Sequence, residues 1–207
     1  MINFNDLKKP FPVSSLKWRI GNKNREGSKA NMLVYVDARM VQDRLDDVVG
    51  AGNWQFETRS MNSVNRQGNT FTIIGRLGIK INDEWIWKED GAENSDIEAA
   101  KGGISDAFKR AAVQWGIGRY LYNASDYSTW AEVKSNDFNI YQDNKRLLDT
   151  VAWRLTLRAY DETNSMESFL EALENSKQVE YIAKLNEEMF GDKYKAKAEE
   201  LMLKLGE

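Results

Sequence analysis

An α+β fold is predicted for this 207-residue chain, and three features predict it. Segments rich in β-branched and aromatic residues follow one another between Trp54 and Glu89, separated by tight turns. The stretch from Ser95 to Tyr122, SDIEAAKGGISDAFKRAAVQWGIGRYLY, repeats apolar side chains at helical spacing. From residue 146 onward the pattern is helical again. Together these give a three-stranded antiparallel β-meander packed on a long helix (a β-β-β-α core), followed by a helical C-terminal tail.

The first 31 residues are polar and interrupted by Pro10, Pro12, Gly21 and Gly27, which predicts mostly loop. MLVYV (32–36) has strand composition, and Asp37 is placed to cap a helix through ARMVQDRLDDVV that Gly50 and Gly52 end. Val41, Leu45 and Val48 form its apolar stripe. WQFETRS (54–60), FTIIGRLGIKI (71–81) and EWIWKE (84–89) are the meander strands, with turns at NRQGN (65–69) and Asn82-Asp83. The acidic loop DGAENSD (90–96) leads into the long helix, with Ser95 or Asp96 as cap and Glu98 in its first turn. Gly116 and Gly118 stop it, and YNASDYSTW reads as loop. RLLDTVAWRLTLRAY (146–160) is a further helix with Leu147, Leu148, Val151 and Leu155 on one side, and DETNS (161–165) reads as a linker. The expected domains are a core with a basic N-terminal arm over residues 1–160 and an acidic helical tail over 161–207.

Composition excludes several chemistries. The chain has no cysteine and no histidine, so disulfides, zinc–thiolate sites, cysteine nucleophiles and an imidazole general base are all ruled out. No signal peptide opens it and no apolar run approaches the ~20 residues of a membrane helix, so a cytoplasmic location and no membrane partner are expected. The net charge of −3 conceals an asymmetry: residues 1–160 hold 23 Lys+Arg against 20 Asp+Glu, and residues 161–207 hold 6 against 12. A mildly basic body can hold a polyanion locally despite an acidic whole.

On a 3.6-residue wheel, Ile97, Ile104, Phe108, Ala111 and Trp115 make an apolar stripe that suits packing on the sheet. Lys101, Ser105 and Lys109 line up along its flank, and Arg110 follows. Gly102 and Gly103 remove bulk beside that line, permitting close approach of a protein strand or of a sugar–phosphate chain. The residues admit two readings: a phosphate-binding line, or a solvated face with an Asp106–Arg110 pair.

Resemblance favours the first. The stretch is similar to the core helix of the Rad fifty-two family of single-strand annealing proteins, closest to its phage branch, Sak. The pattern here is Asp106, Lys109-Arg110-Ala111 and Trp115-Gly116; VYVDARMVQDRLDDVVGAGNWQFE (34–57), WKEDGAE (87–93) and SSLKWRIG (14–21) resemble three further segments in the same order. The match covers roughly residues 13–125. It implies a non-enzymatic protein that binds single-stranded DNA in a groove around an oligomeric ring and anneals it to its complement, in recombination and double-strand-break repair. A phage-encoded chain in a bacterial host's cytoplasm is implied as well. No ATP or other cofactor is implied, a divalent cation being at most a modulator of DNA binding. Arg19, Tyr35, Lys101, Ser105, Lys109 and Arg110 fall at groove-lining positions; Arg39 and Arg44, on the preceding helix, either extend the path or are solvated or paired with Asp43 and Asp47. The family's next cation is replaced here by Val113 or Gln114, with Arg119 the nearest substitute.

Two other classes compete with this reading. A P-loop is absent, because GNKNREGSK (21–29) has the wrong spacing and inverts Ser-Lys. The acids Asp83, Glu84, Glu89, Asp90 and Glu93 with Lys88 suggest a metal-dependent nuclease, but the usual acid-x-Lys spacing is missing. A module that binds duplex nucleic acid by shape is the other alternative. The acidic tail, with Ile182, Leu185, Met189, Leu201 and Leu205, is expected to pack on the body, on a neighbouring subunit, or on a single-strand-binding protein or exonuclease.

Overall fold

The computed structural model describes residues 2–65, 68–93, 99–134 and 139–163, and shows a mixed α+β protein with antiparallel strand pairing. Two compact units divide the chain. The first comprises Met1–Lys9, Lys17–Arg19 and Val34–Asn123, and the second the described residues of Pro10–Leu16, Ile20–Leu33 and Ala124–Glu207.

In the first unit the strands here numbered β3 (Trp54–Asn65), β4 (Gly68–Ile81) and β5 (Glu84–Glu93) form one sheet in the order β3-β4-β5. Asn82 and Asp83 join β4 to β5 with φ values of 50° and 67°, the left-handed pair that a tight hairpin of matching twist requires. The register sets Ile73, Leu77 and Ile79 on one face of β4, where all three are buried.

Against that face lies the long helix α3 (Ala99–Gln114). It buries Ala107, Phe108, Ala111, Ala112 and Trp115. Ile104, expected in the same stripe, is 43% exposed, because Ala107 occupies the contact with Ile73 and Ala92 instead. Ile97 and the expected caps Ser95, Asp96 and Glu98 lie outside the described residues. Phe108 packs edge-on to Phe56 at 4.9 Å between ring centroids. The Trp115 indole N–H donates to the Leu77 carbonyl at 3.1 Å. The helix stops as its glycine predicts. Gly116, at φ 98°, donates to Val113 (2.9 Å), and Ile117 to Ala112 (3.2 Å), the paired reverse bonds of a glycine C-terminal motif.

Helix α2 (Ala38–Val49) buries Val41, Leu45 and Val49. Val49 takes the place expected of Val48, since 41, 45 and 49 keep the spacing of four that one helix row demands. Asp37 precedes it without making a capping bond; its carboxylate binds Lys17 instead. Arg44 donates to the carbonyls of Asp6 (3.1 Å) and Lys9 (2.6 Å), closing the end of the short helix α1 (Phe4–Lys8).

A second sheet corrects the expectation of loop at both ends of the core. Strands β1 (Lys17–Lys23), β2 (Lys29–Tyr35) and β6 (Trp130–Glu132) lie in the order β1-β2-β6, with Ala30 paired to Ala131. The segment after Gly118, also read as loop, is a 3₁₀ helix over Arg119–Asp126. In the second unit α4 (Ile140–Asp143) precedes α5 (Lys145–Thr163), which runs into the expected linker. Leu148, Val151 and Leu155 are buried on α5, whereas Leu147 is 37% exposed.

Candidate nucleic-acid interface

The two adjacent cations of α3 have opposite surroundings. Successive helix positions point about 100° apart, so Lys109 and Arg110 leave the helix on different sides. Arg110 turns to β5: its Nη2 donates to Asp90 Oδ1 at 3.0 Å and its Nε to the same oxygen at 3.3 Å. Gln114 Nε2 reaches the other carboxylate oxygen at 3.2 Å. The pairing expected with Asp106 is therefore not formed by Arg110; Asp106 sits 3.7 Å from Lys109. Burial opposes the charge of Asp90, but hydrogen bonds from Arg110, Gln114 and the Gly91 amide outweigh it and hold the carboxyl below its ordinary 3.8.

A depressed carboxylate pKa stabilises the fold above its unfolded value and loses that contribution as pH falls through the folded value. Asp90→Asn is accordingly expected to cost about 1 kcal/mol at neutral pH, a figure already reduced for solvent screening of a partly exposed pair. That gap between parent and variant, followed by urea unfolding, should stay constant above about pH 5 and narrow only below about pH 4. A gap that persists unchanged to lower pH would show that the carboxylate's charge does not fasten α3.

Lys109 faces the other way. Its ammonium stands 5.3 Å from the centroid of the Tyr35 ring, within range of a cation–π contact. Its side chain is 27% exposed, so the stem is packed and the charge is held in one place. Ser105, one turn earlier, is half-buried, and Lys101 is in the helix with its side chain outside the described residues. Tyr35 ends β2. Lys17 of β1 is bound to Asp37, and its ammonium is held above the ordinary lysine value first by that hydrogen bond and then by the carboxylate's charge. Tyr35 reinforces this and Arg39 opposes it, so Lys17, Tyr35 and Arg39 share one electrostatic neighbourhood. Arg39 is exposed on α2 and Arg19 on β1. The structure thus joins Tyr35 to Lys109 directly, with Lys17 and Arg39 near Tyr35. Lys17 was missed in the sequence; its only signal was the alternation of Lys17 and Arg19 along one strand.

The remaining candidate cations have partners within the chain. Arg119 donates to the carbonyls of Val113 (3.0 and 2.7 Å) and Gln114 (2.9 Å), and Lys88 Nζ also donates to Gln114 (2.9 Å). Both therefore satisfy the open carbonyls of the α3 C-terminus, where the helix dipole favours positive charge. Lys88 lies 4.4 Å from the centre of the Trp115 ring. Burial, then repulsion from Arg119 and Lys8, lowers its pKa.

The acids of β5 do not converge. Asp90 faces α3, whereas Glu89 pairs with Arg59 at 3.0 Å and Arg76 at 3.9 Å. Alternation along the strand separates them to opposite faces. Among the described residues no group of three acidic side chains is placed to hold a metal ion, and no helix is long and apolar enough to cross a membrane.

Comparison with known proteins gives the chain's family. Residues 4–139 match the model of the family described as Rad52/22 family double-strand break repair protein. Two curated proteins, each named single-stranded DNA-binding protein DdrA, from Deinococcus deserti and Deinococcus radiodurans, are 37% identical over 131 residues. The aligned part is 62% of this chain, and it spans 61% and 59% of those two proteins. The matched region contains Tyr35, Lys109 and the Asp90–Arg110 clamp, and with two thirds of its length inside the family model the chain belongs to the Rad52/22 family.

Proposed function

We propose that the chain binds single-stranded DNA by its sugar–phosphate backbone and anneals it to a complementary strand in recombination and repair, without ATP and without catalysis. The observation that carries this is the Lys109–Tyr35 pair: a fixed ammonium on an aromatic face, with the exposed Lys17 in the electrostatic neighbourhood of Tyr35. Cations at such a site bind phosphates irrespective of sequence, and an aromatic face accepts any base or sugar edge. Annealing requires that indifference, because base edges must stay free to test a partner. The names of the two Deinococcus relatives support the ligand, and the family description supports the repair role. A ring or helical homo-oligomer would repeat the weak per-subunit contact and raise its strength through avidity. Phage origin rests on the motif resemblance to Sak alone.

The test is a gel-shift competition at several salt concentrations, coupled to mass measurement with and without an oligo-dT strand. Single strands are expected to outcompete duplex by at least about tenfold, with binding weakening steeply as salt rises. Preference for duplex would instead support a shape-reading module, and magnesium-dependent cleavage of the labelled strand a nuclease.

A further inference from the structure

The first unit carries two groups of charges that its own fold leaves unmatched. At the C-terminal end of α3, Lys88 Nζ and Arg119 Nη2 donate to the same Gln114 carbonyl, each at 2.9 Å. The stem of Lys8 lies over Gly116, its Cγ 2.7 Å from where an added Cβ would stand. Repulsion from Arg119 and Lys8 reaches Lys88, and no carboxylate among the described residues offsets it. A neutral carbonyl orients a cation without cancelling its charge. The second group is acidic. Asp43 and Asp47 stand one turn apart on α2, both exposed, on the side opposite the buried Val41, Leu45 and Val49. Neither has an ion pair among the described residues; Arg44, between them, turns to the carbonyls of Asp6 and Lys9. Asp46, on the flank of the same face, accepts from the Trp54 indole N–H at 2.6 Å.

The sheet sets the two groups toward opposite edges. Trp54 opens β3 and Lys88 belongs to β5, the two edge strands, about 10 Å apart across β4. The register puts Trp54, Ile79 and Ile86 in one line across the sheet, and Phe56, Leu77 and Lys88 in a line two residues on. The acids, tied to β3 through Asp46, and the bases of β5 therefore stand at the same end of the sheet. Trp85 and Ile86 are exposed on β5 close to Lys88. Among the described residues no further strand pairs with the outer side of β3 or β5, and long open edges call for cover. We propose that the C-terminal end of α3 in one copy, with Lys8, Lys88 and Arg119, seats against the α2 face of the next copy, with Asp43, Asp46 and Asp47. This rests on the homo-oligomer of the proposed function and names the contact that builds it. Because the two surfaces differ, the contact is head-to-tail, the kind that repeats into a ring or a helix. A nucleic-acid backbone suits the basic group less well, since it would leave Trp85, Ile86 and the acids of α2 as exposed as before.

The test is mass in solution, by light scattering over a dilution series, of the full-length protein in four forms: parent, Lys8→Glu with Lys88→Glu, Asp43→Lys with Asp47→Lys, and all four changes together. Either pair of reversals is expected to raise the concentration of half-dissociation by about a hundredfold or more, and the combination to return it to within about tenfold of the parent. A one-to-one mixture of the two reversed pairs should also assemble, since each surface then meets its opposite charge. Thermal unfolding reports that each variant is folded. Should a reversal unfold, Lys8→Gln with Lys88→Gln and Asp43→Asn with Asp47→Asn take its place, each expected to shift half-dissociation about tenfold. A monomeric parent ends the homo-oligomer reading itself. A parent that assembles while the reversals keep its mass, or a combined variant or mixture no better than either pair, overturns this contact alone. So does a basic reversal that keeps its mass but loses affinity for oligo-dT, which would make Lys8 and Lys88 strand contacts.

Discussion

Lys109→Glu is expected to lower affinity for an oligo-dT strand by about two orders of magnitude at about 0.1 M salt, because each subunit exchanges a phosphate attraction for a repulsion and avidity compounds the loss. The variant should keep its fold. Lys109 stands 3.7 Å from Asp106 and over Tyr35, contacts worth together roughly 1 kcal/mol at a partly exposed site. The slope of log affinity against log salt should also become shallower, since one ion contact per subunit is gone. Arg110→Ala supplies the contrast. Its guanidinium fastens α3 to Asp90, so that change should lower unfolding stability and disturb strand binding only as a consequence. Thermal unfolding beside fluorescence anisotropy separates the two. If Lys109→Glu binds and anneals as the parent does, the strand does not run along this flank of α3; if Arg110→Ala loses binding with its stability intact, the division of labour between the two neighbours is wrong.

That division was not legible in the sequence. A helical wheel lines Lys109 up with Lys101 and Ser105, sets Arg110 next in turn and offers Asp106 as its natural partner, but the actual partner, Asp90, is on a strand. Its position opposite Gly75 depends on the pairing of β4 with β5. What could be read were features with local causes. The meander strands follow from composition and alternation, the Asn82-Asp83 hairpin from residues that tolerate positive φ, and the helix stop from Gly116. Strand composition was legible at MLVYV, but the sheet of β1, β2 and β6 was missed because its register joins Lys29–Asn31 to Trp130–Glu132, and nothing in either segment announces a partner a hundred positions away. The same reason hid Lys17: only once β1 is known to be a strand do Lys17, Asp37 and Tyr35 become neighbours.

The glycines differ in what surrounds them. Gly102, read with Gly103 as permitting close approach of a protein strand or of a sugar–phosphate chain, has no protein atom within 4 Å of an added Cβ, so no protein strand takes that space. The crowded position is Gly75 in β4, whose added Cβ falls 2.8 Å from the Ala107 carbonyl oxygen and 2.8 Å from Phe56 Cε2. Gly75→Ala is therefore expected to destabilise by about 2–3 kcal/mol, as overpacking of a tight interior does, outweighing the 0.5–1 kcal/mol that alanine normally gains over glycine in a strand. For a chain of this size that is roughly a 6–10 °C fall in thermal midpoint. Because the obstacle is helix backbone, shortening Phe56 to leucine in the same chain should not recover the loss, whereas a clash confined to side chains would be relieved. Gly102→Ala is the counterpart: with open space around it in the interior of α3, it should raise stability by about 0.5–1 kcal/mol. Since Lys109 leaves the helix two residues after Ala107, any outward shift of α3 forced by Gly75→Ala also moves the ammonium against Tyr35, and strand affinity should fall together with stability. A Gly75→Ala protein as stable as the parent would mean that α3 does not rest on β4 at this spacing, and that Lys109 is positioned by something other than the sheet beneath it.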